Sequence, residues 1–217
     1  MGQATALDKL ERPEDAAAVL ATLAQQVKGQ PAQEAEVALA QAGVASRPGH
    51  EAEARAFLEH VLALSPSPEV TRTAQVKLAA LEDPARAPAI QAYFHEEHEE
   101  LRLLRLATAL ETSPKDPYLH YLLGRRLLQV DAPLEALPHL TQVLQQGPLP
   151  DAIRREDVRL KIQAAYLAGD CGTVHHEVGA LPDYGPAFRA TCSEWAERCD
   201  FEQARFQGPL VPHEAFR

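Results

Sequence analysis

Sulfur and aromatic rings are scarce in this chain. It has three cysteines, one methionine and one tryptophan in 217 residues, and aromatics make up 6%. An odd, small number of cysteines does not suggest a disulfide framework. Positive charge is also in deficit: 21 Lys and Arg face 31 Asp and Glu, for a formal net charge of −10. Phosphate backbones call for a basic surface, so general nucleic-acid binding is excluded. No run of about eighteen apolar residues occurs, and no membrane span is expected. Met1 to Arg12 is polar with no apolar centre, so no signal peptide is expected. No stretch alternates in the manner of a half-buried strand, which leaves out a sheet. The expectation is a cytoplasmic, all-α protein without cofactor or metal.

What the chain does have is Ala, Leu and helical periodicity. The clearest stretch runs from Asp116 to Asp151. Asp116 is placed to cap a helix that Pro117 opens. Tyr118, Leu119, Leu122, Leu123, Leu127 and Val130 then recur at helical spacing. Asp131 to Pro133 breaks the run. A second helix follows, with Leu134, Leu137, Leu140, Val143 and Leu144 on its apolar face and Gly147-Pro148 as its stop. Two helices joined by so short a turn pack antiparallel.

The order His120-x2-Leu123-Gly124-x2-Leu127, then Ala136-x3-Leu140, then Pro148 resembles a tetratricopeptide repeat. Gly124 and Ala136 stand where the two helices cross closely. His120, Leu127 and Leu140 replace the large aromatics of the pattern. An earlier stretch shares the register: Ala42 matches Gly124, Ala54 matches Ala136, Leu58 matches Leu140 and Pro66 matches Pro148. The resemblance implies a right-handed α-solenoid of antiparallel hairpins over residues 1–205, clearest at 117–150, with 206–217 as a tail.

Around this hairpin, helices are expected at 14–27, 32–45, 51–64, 67–81, 151–168, 171–179 and 186–205. Residues 89–111 hold no Gly or Pro. They read either as one long helix or as two with a polar elbow at His95 to Glu100. Trp195, Phe188 and Phe201 are expected to plug the end of the stack.

The resemblance also implies a function: a scaffold or adaptor that holds another protein's segment in a concave groove lined by first helices. On that side of the central hairpin lie Tyr118, Tyr121, Arg125 and Leu128. The next first helix contributes Arg154, Arg155, Arg159 and Lys161, a basic cluster suited to an acidic segment through charge-assisted bonds. A homo-oligomer is the alternative, with a second copy of the chain as partner.

Three sets bear on catalysis or metal binding. His95 and His98 stand at i and i+3, whereas a zinc-protease helix needs i and i+4, so they read as solvated charge. Cys171 and His175 share a helix face, and a helical regulatory part of an enzyme using this pair is a further alternative. Cys192 and Cys199 lie about 10 Å apart along a helix, too far for a bond to each other, and read as packing residues. No catalytic residue is assigned.

Overall fold

The computed structural model describes residues 12–64 and 66–207. Among these there are eleven helices and no strand. They fall into two compact units divided between Pro114 and Lys115. None of the described helices is long and apolar enough to cross a membrane.

The first unit holds α1 (Pro13–Gln26), α2 (Pro31–Ala45), α3 (Glu51–Ala63), α4 (Pro68–Glu82), α5 (Ala87–His95) and α6 (Glu99–Thr112). Pro13, Pro31 and Pro68 open their helices, where a missing N–H costs nothing. Each helix packs on the next in chain order. Ala16 and Leu20 of α1 meet Val37 and Val44 of α2. On its other side α2 offers Ala35, Ala38 and Ala42 to Leu58 and Val61 of α3 and Ala74 of α4. Small side chains let these backbones approach while the larger residues fill the space between them.

The 89–111 stretch resolves as two helices. The first ends at His95, and the second begins at Glu99. Arg102 ties the elbow by donating to the Glu96 carbonyl and, at 2.9 Å, to the Glu99 carboxylate.

The second unit holds α7 (Pro117–Gln129), α8 (Pro133–Val143), α9 (Asp151–Leu167), α10 (Cys171–Gly179) and α11 (Pro186–Gln207). Asp116 caps α7 as expected, accepting the N–H groups of Tyr118 and Leu119 at 2.9 and 3.1 Å. The turn that follows needs a left-handed residue, and Asp131 supplies it at φ 61°. Ala132 N–H reaches back to the Leu127 carbonyl at 2.9 Å, a Schellman closure. The end of α9 repeats this geometry. There Gly169 is left-handed at φ 76° and Asp170 N–H reaches the Ala165 carbonyl at 2.8 Å. Asp170 then caps α10 through Thr173.

Helices α7 and α8 meet at Gly124, Ala136 and Leu140, all buried. A Cβ on Gly124 would fall 2.7 Å from Leu140 Cγ, which is why a glycine stands there. Two expected core residues are instead on the surface. Leu134 is 69% exposed, and α8 ends at Val143, one residue before Leu144, which is 39% exposed. Leu134 lies in the first turn of α8, beyond the crossing point that Ala136 makes.

Helix α11 lies on α9 and α10. Val158, Ile162 and Ala165 of α9 and Val174 of α10 receive Cys192 and Cys199, with Phe188 and Trp195 packed alongside. Phe201, expected in that plug, is 69% exposed. The two cysteines share a buried face as expected, but Cys199 is not a free thiol. It forms a disulfide with Cys171, Cα to Cα 5.7 Å, against the expectation from cysteine number. Its partner lies 28 residues away on another helix, so the pairing follows from the packing of α10 on α11. Cys192 stays free and buried.

Inside α9, Asp157 is fully buried, and neither of its carboxylate oxygens has a hydrogen-bond partner among the described residues. Lys161, one turn on, donates to Glu177 of α10 instead, at 2.8 Å. Burial holds the Asp157 carboxyl well above the usual carboxylate range. Lys161 opposes the shift, and the charges of Glu177 and Glu156 add to it. The folded state therefore keeps a proton that the unfolded chain releases near 3.8. The stability this proton contributes is fully present below that value and is lost as pH rises through the raised folded pKa. Asp157→Asn removes the titration. The variant is expected to be more stable than the parent at pH 8. The gap should close toward pH 4. Urea unfolding at both pH values checks it, and a gap that does not change with pH refutes it.

Candidate functional site

The proposed groove residues of α7 separate into two groups. Tyr118, Arg125 and Leu128 are half-buried and keep surface to offer. Tyr118 and Arg125 are seven residues apart, two turns, and so share a face. Tyr121 does not belong with them. It is fully enclosed, on a side of α7 that meets α9, where its phenol lies within electrostatic reach of the Arg159 guanidinium. In this fold it is a core residue.

The four cations of α9 do not form one patch. Arg155 and Arg159 stand one turn apart on one side, while Arg154 and Lys161 stand two turns apart on another. Arg159 is bound at both ends of its fork by Glu156, at 2.8 and 3.0 Å, and also donates to Gln163 at 3.2 Å. The Glu156 bond raises the Arg159 pKa further. Lys161 is taken by Glu177. Both are therefore structural charges, and an acidic partner would have to displace an existing carboxylate to use them. Arg155 lies over the Tyr184 ring, 5.0 Å to its centroid, and remains exposed. Among the described residues Arg154 has only a loose 3.9 Å contact with Asp151. An exposed pair of that kind contributes little, so Arg154 is open to exchange.

Arg154 also borders an open cleft of about 370 Å³ that sequence reasoning missed. Leu144, Pro148 and Leu149 wall it after α8, and Val158 and Tyr184 close it from α9 and the loop before α11. The only sign in the sequence was Gly147-Pro148, read there as a helix stop.

Elsewhere, α7 and α8 meet through His120 and His139, whose Nδ1 atoms are 3.0 Å apart. Burial, and then the His120 charge, hold His139 below its ordinary 6.5. Cys171 carries no thiolate to pair with His175, because its sulfur is in the disulfide. His175 faces Asp200 of α11 instead, at 3.1 Å. His95 and His98 fall on opposite sides of the break between α5 and α6. Among the described residues no group of three or more His, Cys, Asp or Glu is placed to hold a metal ion.

No protein-family model matches the chain, nor does any curated protein or any solved structure. Of the predicted set, Tyr118, Arg125 and Leu128 on α7 are half-buried and Arg154 and Arg155 on α9 are exposed, whereas Tyr121 is enclosed and Arg159 and Lys161 are held by Glu156 and Glu177.

Proposed function

We propose that this chain is a protein-interaction scaffold of tetratricopeptide-like hairpins in an α-solenoid, and that its second unit holds an acidic segment of a partner. The carrying observation is the Arg154 cleft, where an exposed guanidinium stands beside the exposed Leu144 and the apolar wall of Leu149 and Val158. A segment alternating acidic and apolar residues fits that combination: a carboxylate takes the planar fork of Arg154, and an apolar side chain covers Leu144. Tyr118, Arg125 and Leu128 extend the same chemistry along α7. The repeated Schellman turns at Asp131 and Gly169, and the Gly124–Leu140 crossing, support the repeat reading.

The test is affinity capture on the whole chain, with the captured protein's dissociation constant then measured. Arg154→Glu is expected to weaken that binding at least tenfold, with an unchanged helical circular dichroism signal. Arg125→Glu is expected to weaken it less. Equal affinity for the parent and Arg154→Glu would remove the cleft from the reading. Self-association is the second reading, favoured by the exposure of Leu134 and Phe201. Sedimentation at several concentrations separates the two.

A further inference from the structure

The first unit contains a second, chemically different site. The end of α2 and the loop after it, with α4 and α5, line an open cavity of about 240 Å³. Ile90 and Leu81 form apolar wall, and Phe94 presents its ring. Into this wall comes Lys77 of α4. Its Nζ lies 4.6 Å from the centroid of the Phe94 ring, and it has no hydrogen bond or ion pair among the described residues. A lysine so placed is only partly exposed, with a ring face on one side of its ammonium. Burial holds its pKa below the ordinary lysine value, with no carboxylate opposing the shift.

Arg47 borders the same cavity. Its Nε donates to the Val44 carbonyl at 2.7 Å, which fixes the plane of the guanidinium. Its terminal nitrogens make no ion pair among the described residues. Glu51 is the acidic group on the rim, and both its oxygens already accept the Gly49 N–H, at 3.0 Å. The lining thus holds two cations with no ion pair among the described residues, one engaged carboxylate, the imidazole of His95 and an apolar floor.

We propose that this cavity binds a small amphipathic carboxylate, its head between Lys77 and Arg47 and its apolar tail against Leu81, Ile90 and Phe94. A carboxylate supplies the partner that Lys77 lacks, and its two oxygens match the fork of Arg47. The tail removes apolar wall from water. A free phosphate satisfies the cations but leaves the wall wet. A neutral amphiphile covers the wall but leaves Lys77 unpaired. The ligand needs both halves.

The test is calorimetric titration of the full chain with octanoate, against acetate, inorganic phosphate and 1-octanol. Octanoate is expected to bind saturably at one site, at least tenfold tighter than any of the three. Lys77→Met keeps the stem and removes the charge, and is expected to weaken octanoate at least tenfold without lowering the melting temperature. Arg47→Gln is expected to act in the same direction, and it decides the matter if the lysine variant does not fold. Absence of saturable octanoate binding overturns the proposal. So does equal affinity for 1-octanol or phosphate, or octanoate affinity unchanged by the substitutions.

Discussion

Cys171→Ser is expected to destabilise the second unit by about 3 kcal/mol, the loss of loop-closure entropy for a cross-link spanning roughly 28 residues. The bond joins the first residue of α10 to α11. Without it, α11 is held by Cys192, Phe188 and Trp195 against α9 and by few polar contacts, among them Tyr166 to Glu202 at 2.6 Å. Cys171 is the better position to change, because it is only half-buried, whereas Cys199 is fully enclosed and serine there would add a buried hydroxyl. Urea unfolding followed by circular dichroism reads the effect. Reductant should lower the midpoint of the parent and leave that of the variant where it is. Equal midpoints for the parent with and without reductant would show that the bond adds nothing. The bond also bears on the cytoplasmic expectation. Glutathione and thioredoxin keep cytosolic thiols reduced, so in that compartment the chain would correspond to the weaker, reduced arm of this experiment.

The features that were legible in the sequence are those set by neighbours within a few residues. Asp116-Pro117 marked a cap and a first turn, and both stand as read. Gly169-Asp170 marked a helix end and is one. The shared register of Ala42, Ala54 and Leu58 with Gly124, Ala136 and Leu140 correctly placed six buried positions. What was not legible depends on which helix lies opposite. Tyr118 and Tyr121 stand one turn apart in the sequence, yet only Tyr121 of the two is fully enclosed. Arg159 and Lys161 counted as free cations until Glu156 and Glu177 were placed beside them. The disulfide joins residues whose separation, 28, carries no helical signal. Lys77 raised no signal at all, because a lysine in an amphipathic helix reads as solvent-facing until Phe94 is placed under it. Local chemistry thus recovered the helices and the hairpin crossing, while the site required the packing of one helix on another.

Gly124→Leu is expected to have an effect comparable with loss of the disulfide, about 3 kcal/mol of destabilisation. Even the Cβ of such a residue falls 2.7 and 2.8 Å from Leu140 Cγ and Cδ2 and 3.3 Å from the Leu140 backbone nitrogen. The leucine can turn aside only in part, because it is fully buried, and the backbone contact remains unless α8 moves away from α7. Gly124→Ala separates the opposing terms. Alanine gains up to about 1 kcal/mol of helix propensity over glycine, so a net loss would mean that the clash costs more than that. Leu140→Ala alone is expected to cost about 2–5 kcal/mol through lost burial and the cavity it leaves. The decisive form is the double variant. If contact with Leu140 is the reason for the glycine, Gly124→Ala should stabilise the Leu140→Ala background by filling part of its cavity, with a coupling of about 0.5–3 kcal/mol between the two sites. Strict additivity in thermal unfolding would mean that the glycine answers to something other than the Leu140 side chain. The same cycle at Ala42 and Leu58 offers a contrast: an alanine there already supplies the Cβ, so α2 and α3 tolerate at their crossing the methyl group that α7 and α8 exclude.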